Sequence, residues 1–296
     1  MGDVEPEEII RRTEHTVGLR VMQLLVSERA LQRDIDRLRA DLDFDEPDRI
    51  DVETTPAWAG VQAEVTVVIP VYNQRELVIE TITSAVASTG IRVEVVVVDD
   101  HSYDGSLDVV RRLMADHPWA PIAVARKLVN EGLGAARNNG FELARAPLVF
   151  PLATGNTLYP TGLAKLAAAL EGSEAAFSYG IIERFGGQPG LASYLPWDLG
   201  RLCQGNYIEA MALVRQPTWA AVGGYDPEMS TRFGGWEDYD LWLRIAERGG
   251  RGTLVPEIVA RHRQAEDSML SMFDLDASLP IAFLRDKYPL LPWPAP

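Results

Sequence analysis

The stretch "RVEVVVVDD", residues 92–100, joins a β-branched run to a pair of acids. The run predicts a buried strand, because valine fits the pleated surface of a sheet, and the strand ends at Asp99 and Asp100. A similar run, "EVTVVIPVY" over residues 64–72, precedes it, and a helical segment near Glu76 to Ala87 lies between them. Strands that alternate with helices at this spacing predict an α/β fold with a mainly parallel sheet, covered on both faces.

Two later segments extend this pattern. "IAVARK" and "PLVF" predict a third and a fourth strand. In parallel sheets, ligands bind beyond the carboxyl ends of the strands. The positions of interest are therefore those after Pro70, after Val98, around Asn130 and after Leu152.

The composition limits the classes of function. The chain has 296 residues, with 28 Lys and Arg against 43 Asp and Glu, for a formal net charge of −15. This acidity argues against a nucleic-acid partner. The single cysteine, Cys203, excludes an internal disulfide framework and fits a small buried side chain. The acidic start "MGDVEPEEII" lacks the features of a secretory signal, and the apolar runs are too short to span a bilayer, so we predict a cytoplasmic protein, either free or peripheral to the membrane through partners.

The N-terminal segment has a seven-residue apolar repeat. The repeat positions are Ile10, Val17, Leu24, Leu31 and Leu38, with Val21, Ile35 and Leu42 on the companion position. Residues 1–45 therefore predict a helical extension, and residues 5–43 are compatible with self-association as a coiled coil or with packing on the chain's own domain. We further predict a linker over residues 46–62, a globular domain over 63–271 and a C-terminal tail over 272–296.

Polar residues follow the first two predicted strands. In "IPVYNQRE", Pro70 and Asn73 mark a turn that exposes main-chain groups, and in "VVVDDHSYDGS" the acids Asp99 and Asp100 lie at the strand end. Adjacent acids can accept hydrogen bonds from a nucleobase N–H and from ribose hydroxyls. A helix cap explains residues 102–106 well but does not explain Asp99.

Three further segments complete the pattern. "NEGLGAARNNG" over residues 130–140 is a glycine-bearing loop that opens a helix, which alone is a weak signal. "GNYIEAMALVRQPTWAAVGGYDPEM" is followed by "FGGWEDYDLWLRIAERG" and then by "RQAEDSML". In order and spacing, residues 64–270 resemble the family 2 glycosyltransferases, which have the GT-A fold.

This resemblance implies the GT-A nucleotide-diphospho-sugar transferase fold and inverting transfer of a sugar from a nucleotide diphosphate, most commonly UDP, to a hydroxyl of a glycan or another acceptor. It places nucleotide-sugar contacts at Pro70, Tyr72, Asn73, Asp99, Asp100, Asn130, Arg137 and Asn156. It places the acceptor side at Gly224, Tyr225 and Trp236, and catalysis at Asp238 and Glu237.

On this resemblance Asp238 is the general base that takes the acceptor proton. A base must be ionised, and the start of a helix favours a carboxylate. Glu237, Asp238 and Asp240 all lie in the predicted first turn, so the sequence leaves the choice among them open. An amphipathic helix with Leu241 and Trp242 inward also explains this segment, without any catalytic role.

The stretch "LVFPLATGNTLYP", residues 148–160, departs from the family pattern. Aligned on "LYP", the family's Asp-x-Asp falls on Ala153, Thr154 and Gly155, and neither carboxylate is present. In the family these acids hold a divalent cation that bridges the diphosphate. We therefore expect no metal cofactor, although Mn²⁺ or Mg²⁺ held by other groups stays open.

Two functions fit this departure. Either cations of the protein stabilise the leaving group, or the chain is a catalytically impaired GT-A protein that binds sugar nucleotides or acts as an interaction partner. The candidate cations are Arg137, Arg232, Arg261, His262 and Arg263. A third class, nucleotidyltransferase, requires a basic glycine-rich first loop, and "VYNQRE" fits that poorly.

Overall fold

The computed structural model describes residues 50–264 and 277–294. The predicted helix over residues 1–45, with its self-association segment 5–43, lies outside these ranges, as does most of the segment "RQAEDSML".

The described residues form one ten-stranded sheet in the order β1-β4-β3-β2-β5-β9-β7-β10-β6, with β8 paired to β7. The strands are β1 Ile50–Thr54, β2 Val65–Val71, β3 Val93–Asp99, β4 Ile122–Lys127, β5 Leu148–Pro151, β6 Thr157–Leu158, β7 Phe177–Phe185, β8 Gly190–Ala192, β9 Ala212–Arg215 and β10 Gly252–Arg263. The central strands β4, β3, β2 and β5 are parallel, and the four strands predicted from the sequence are confirmed.

Helices cover both faces of this sheet because the central strands are apolar on both sides. The helices are α1 Val78–Val86, α2 Ser106–Asp116, α3 Leu133–Leu143, α4 Gly162–Leu170, α5 Leu199–Leu202, α6 Gln216–Val222, α7 Pro227–Phe233, α8 Glu237–Glu247 and α9 Ser278–Lys287. One core layer includes Val67 and Ile69 with residues of α1, α2 and α4. The other includes Val68 with residues of α3, α6, α8 and α9.

The predicted linker over residues 46–62 is wrong for its described part. Ile50–Thr54 is a strand that pairs antiparallel with β4, and Pro56–Gly60 is a 3₁₀ helix. The buried Thr55 hydroxyl donates to Ala120 O at 2.6 Å. The segment "IDVET" alternates apolar and polar residues, but five residues between Pro47 and Pro56 give only a weak strand signal.

The predicted tail over residues 272–296 is also wrong where it is described. Helix α9 packs on the second core layer, and Leu284 and Tyr288 are buried. Lys287 Nζ donates to Asp226 Oδ2 and to Asp240 Oδ1, each at 2.6 Å. Residues 277–294 therefore belong to the globular domain.

Cys203 is buried, as the sequence predicts, and burial raises the pKa of its thiol to about 11. In the described ranges, no helix has the length and apolar character needed to cross a membrane.

Candidate active site

The carboxyl ends of β2 and β3 meet at one edge of the sheet, where Val71 lies opposite Asp99. The loops that follow these strands are bonded to each other, because Asn73 N donates to Ser102 Oγ at 3.1 Å and Tyr103 N donates to Asn73 Oδ1 at 3.0 Å. Asn73 has a φ of 52°, a left-handed conformation in which asparagine is enriched. Its role in the structure is to join two loops of the pocket wall.

Pro70 and Tyr72 lie in the same wall. The Tyr72 ring packs edge to face on Tyr103, with 6.1 Å between ring centroids. Pro70 O accepts a hydrogen bond of 2.8 Å from Thr154 Oγ1, which links the end of β2 to the turn after β5. The segments after three parallel strands are therefore contiguous, as the strand order predicts.

Asp99 is the buried acid of this pocket that retains an unused oxygen. Its Oδ2 accepts from Ser102 N at 3.3 Å, whereas its Oδ1 is buried with no hydrogen-bond partner in the described part of the chain. Burial raises the pKa of Asp99. An unsatisfied buried oxygen carries a free-energy cost, which a ligand N–H or O–H group would relieve.

Asp100, by contrast, is fully used inside the protein. Its carboxylate accepts from Lys127 Nζ at 2.7 Å, from Glu131 N at 3.1 Å and from Gly132 N at 2.8 Å. Asn130 Nδ2 donates to Asp100 O at 3.1 Å. Asp100 and Asn130 thus shape the loop before α3, and the nucleotide contacts predicted for them stay predictions.

Lys127 is a residue that the sequence reasoning missed. Its side chain is 3% exposed and forms the buried ion pair with Asp100. The sequence does contain a signal for this pair, because Lys127 ends an apolar strand and the neighbouring strand ends in acids.

The turn at residues 153–156 is held by bonds to the scaffold. Asn156 N donates to Ala153 O at 3.0 Å, and Gly155 N donates to Thr81 Oγ1 at 2.9 Å. Asn156 Oδ1 accepts from Arg263 N at 3.0 Å, and the Asn156 side chain is buried. Asn156, predicted to contact the nucleotide sugar, instead fixes the turn to the end of β10.

The first acid of α8 is paired with Arg137 from α3. The Arg137 and Glu237 side chains form a salt bridge in which each is 5% exposed, and Ser230 Oγ donates to Glu237 Oε2 at 3.0 Å. The Arg137 guanidinium also lies 5.3 Å from the centre of the Tyr225 ring. This pair engages both side chains with each other, and the roles predicted for Arg137 at the donor and for Glu237 in catalysis stay predictions.

The other two acids of the α8 start differ from each other. Asp240 is fully buried and contacts Arg244, Lys287 and Tyr288. Asp238 is half-buried, accepts from Asn206 Nδ2 at 3.1 Å and from Tyr239 N at 2.8 Å, and forms no ion pair in the described ranges. Burial and the adjacent Glu237 charge raise the pKa of Asp238 to about 7. Asp238 is the acid of this helix start that can take a proton at neutral pH.

The segment predicted on the acceptor side is bonded to α3 through Asn138. Asn138 Oδ1 accepts from Tyr225 N and Asn138 Nδ2 donates to Tyr225 O, both at 2.8 Å. A side chain at Gly224 would come within 2.8 Å of Asn138 Oδ1, so the close approach requires glycine. Tyr225 is buried, and Trp236, directly before Glu237, is half-buried.

A further acid, Glu209, lies close enough to Asp238 to affect its pKa. Glu209 Oε1 is 3.4 Å from His262 Nδ1 and 3.8 Å from Arg184 Nη2. The charge of Glu209 also contributes to the raised pKa of Asp238. Asn206 and Glu209 are not evident as site residues in the sequence, because their contacts with Asp238 and His262 join distant segments.

The family model for Glycosyl transferase family 2 matches residues 66–218, just over half of the chain. The chain belongs to this family. It is therefore a glycosyltransferase, as the resemblance predicts. The match includes the strand ends around Asp99 and the turn 153–156, and it ends before α7 and α8.

Relatives and solved structures agree with this membership. EpsE of Bacillus subtilis (strain 168), named as a glycosyltransferase, is 26% identical over 212 residues, which cover 69% of this chain and 74% of EpsE. A structure of S. aureus TarS 1-349 in complex with UDP has a TM-score of 0.59 and 17% identity, over 75% of this chain and 65% of that one. The mannosyltransferase PcManGT from Pyrobaculum calidifontis, in complex with GDP-Man and Mn²⁺, has a TM-score of 0.56 and 17% identity. The match covers 87% of this chain and 70% of PcManGT.

These structural likenesses confirm the GT-A fold with mostly parallel central strands. The chain spans just under two thirds of the length of the TarS chain that it matches.

The side chains of this glycosyltransferase do not fit a divalent cation at the turn. Ala153 and Gly155 have no ligand atoms in their side chains, and the Thr154 hydroxyl donates to Pro70 O. The described residues contain no group of three or more His, Cys, Asp or Glu side chains that could hold a metal ion. Mg²⁺ and Mn²⁺ prefer carboxylate, carbonyl and water oxygens, and the turn lacks the carboxylates.

Proposed function

We propose that this glycosyltransferase inverts the donor's anomeric centre and moves a sugar from a nucleotide diphosphate to a hydroxyl of a glycan acceptor, with Asp238 as the general base. The carrying observation is the difference among three neighbouring acids. Glu237 and Asp240 are bound to cations, whereas Asp238 accepts its hydrogen bonds from neutral groups and has a pKa of about 7. A general base works best when its pKa is near the working pH.

The proposed transfer is a single displacement. The acceptor oxygen forms a bond to the anomeric carbon while its proton moves to an Asp238 carboxylate oxygen. The bond from the anomeric carbon to the diphosphate oxygen breaks, and its electron pair stays on the diphosphate. Attack on the face opposite the leaving group gives inversion, and no oxidant or reductant is needed.

The donor's nucleoside is proposed to lie at the ends of β2 and β3. The unused Asp99 Oδ1 suits a nucleobase N–H donor, and Tyr72 offers an aromatic surface beside it. TarS was solved with UDP and PcManGT with GDP-Man, which supports a nucleoside diphosphate and leaves the base to be identified. Uracil has one ring N–H on its pairing edge, so UDP sugars are the first donors to test.

We further propose that donor binding and transfer depend only weakly on divalent metal. The support is the donor set of the turn, where Ala153 and Gly155 have no ligand atoms in their side chains. A diphosphate carries some metal by itself, so modest stimulation is compatible with this proposal.

The test combines binding and turnover. Calorimetry with UDP, GDP and TDP, each with and without chelator, should give binding to at least one of them, and Asp99→Asn should weaken that binding. Transfer is then measured over a panel of nucleotide sugars with glycan acceptors, and the product's anomeric configuration is read by NMR. Absence of binding at millimolar ligand, weaker than roughly −4 kcal/mol, would refute the nucleotide pocket. Binding without any transfer would favour a catalytically impaired sugar-nucleotide-binding protein.

A further inference from the structure

Two arginines near the end of β10 have similar surroundings but different partners. The guanidinium carbons of Arg261 and Arg263 lie 4.1 Å and 4.5 Å from the centre of the same Phe185 ring. Arg261 Nε donates to Glu183 Oε2 at 3.1 Å. Arg263 reaches in another direction, to the turn at residues 153–156.

Arg263 is fixed to that turn at two points. Its main-chain N donates to Asn156 Oδ1 at 3.0 Å, and its Nε donates to Gly155 O at 3.2 Å. Its Nη2 donates to Glu80 Oε2 at 2.5 Å, and 29% of the side chain is exposed. Nη1 takes part in none of these bonds. The guanidinium is thus held at the turn while part of it faces solvent.

The position of Arg263 matters because the side chains of the turn are neutral. A diphosphate leaving group gains negative charge as the glycosidic bond breaks, and catalysis requires positive charge that is already in place there. A turn with two carboxylates would bring that charge as a metal ion. This turn has neutral side chains, and the positive group bonded to it is Arg263.

Guanidinium chemistry suits the task. A planar guanidinium presents several N–H donors in a fixed fork that matches phosphate oxygens, and it stays charged at any working pH. The contacts with Phe185, Gly155 and Asn156 hold Arg263 before any ligand arrives, which reduces the ordering cost of binding.

We propose that Arg263 is the cation that binds the donor's diphosphate, beside the turn that is itself bonded to the end of β2. This inference rests on the proposed nucleotide-diphosphate donor. Glu80 is the competing partner of the guanidinium, because its half-exposed carboxylate occupies Nη2 in the free protein. Diphosphate binding would exchange Glu80 for phosphate oxygens.

The experiment separates the diphosphate from the nucleoside. Affinities for UDP and uridine, or for GDP and guanosine if guanine is the preferred base, are measured in chelator by calorimetry and competition. In Arg263→Gln, diphosphate affinity should fall roughly 10- to 100-fold, as expected for lost charged hydrogen bonds, with nucleoside affinity unchanged. Arg263→Lys, which keeps a point charge, should fall between the two.

Two matched variants sharpen the result. Arg261→Gln removes a cation from the same strand and the same ring, and it should change diphosphate affinity by less than about threefold, in line with a half-exposed pair. Glu80→Gln removes the competing acid and should leave the affinity equal or make it tighter. Melting temperatures of all variants verify that each one is folded.

Several results would overturn the assignment. Equal losses for diphosphate and nucleoside in Arg263→Gln would show a structural role, and so would a loss in Glu80→Gln as large as in Arg263→Gln. Strong diphosphate binding by the unmodified protein only with added Mn²⁺ would return the role to a metal. A wild-type protein that binds no nucleoside diphosphate would refute the proposed function as well, and it would be recognised before any variant is made.

Discussion

The turn at residues 153–156 and the start of α8 serve the leaving-group side and the acceptor side of one proposed reaction. The charged groups at these two regions are of opposite sign. The turn has no carboxylate and is bonded to an arginine, whereas Glu237, Asp238 and Asp240 stand within four residues of each other. A leaving group needs only positive charge, which a metal or a guanidinium can supply. Proton removal needs a base at one place, and a neighbouring side chain cannot substitute for it. The leaving-group side can therefore vary further than the acceptor side.

The family match also separates the turn from the start of α8. It includes the turn that lacks the acids and ends at residue 218, before the helix that has them. The matched part contains strands, helices and buried contacts such as the pair of Asp100 with Lys127. Membership of the family thus rests mainly on scaffold, and the proposed base has to be judged from its contacts.

Replacing Asp238 should give the largest effect. Asp238→Asn keeps the size of the side chain and removes its ability to take a proton, so transfer should fall by about 10²-fold or more, with nucleotide affinity nearly unchanged. Steady-state transfer and calorimetry measure the two quantities.

The neighbouring acid provides the control for this variant. Glu237→Gln can still accept from Arg137 and should keep transfer within about tenfold of the wild type, because the Glu237 carboxylate is already engaged by Arg137 and Ser230. Unchanged turnover in Asp238→Asn together with a large loss in Glu237→Gln would exchange the two roles.

The sequence was sufficient for the fold because its signals are local. Runs such as residues 93–99 show both their strand character and their double-sided burial in their own composition. Strand β1 escaped prediction because its alternating pattern is only five residues long and lies between Pro47 and Pro56. Helix α9 was missed because its contacts, such as Lys287 with Asp226, depend on residues far away in the chain.

The site was less accessible to sequence reasoning for the same reason. The choice between Glu237 and Asp238 depends on Arg137, which lies 100 positions earlier and reaches Glu237 only in the folded protein. Likewise, the adjacent Asp99 and Asp100 look equivalent in the sequence, but Lys127 and the loop before α3 engage Asp100 alone. Residue types and order predict the location of the site, and the assignment of roles within it requires the long-range contacts.

The pH dependence of transfer should show an effect of intermediate size at the start of α8. The pKa of Asp238 is raised to about 7, so the ionised base is lost as the pH falls through 7, and kcat/KM should drop about tenfold per pH unit well below that value. The stability contribution has the opposite sign. A carboxyl whose pKa is raised by folding binds more protons in the folded state between its ordinary pKa of 3.8 and about 7, so its contribution to stability is complete below the ordinary pKa and is lost as the pH rises to about 7.

Replacing the neighbouring acid, Glu237, tests whether Asp238 controls the fall of kcat/KM at low pH. Glu237→Gln removes the like charge that helps to raise the pKa of Asp238 and leaves the Arg137 cation nearby. The acidic limb of the kcat/KM profile should therefore move to lower pH. A limb that stays in place, or that moves upward, would mean that another group controls it.

The smallest expected effect is the change that Mn²⁺ makes to transfer after acids are added to the turn, and this result tests the contrast between the two regions most directly. The double variant Ala153→Asp with Gly155→Asp places two acids in the turn. Gly155 has a φ of 94°, which side-chain-bearing residues rarely adopt, and a Cβ there would lie 3.2 Å from Leu77 Cδ1. An acid at this position would also lie beside the Arg263 side chain, about 3.8 Å from its Cδ, and would pair with that guanidinium before it could recruit a metal. We therefore expect Mn²⁺ to change transfer by no more than about threefold in both proteins, a difference under about 1 kcal/mol. Transfer rates with Mn²⁺ and with chelator provide the measurement, and the folded state is checked by melting temperature. A folded double variant with strong Mn²⁺-dependent transfer would show that the turn keeps the geometry of a metal site and that only its carboxylates are missing, which would make the two regions alike in everything except two side chains.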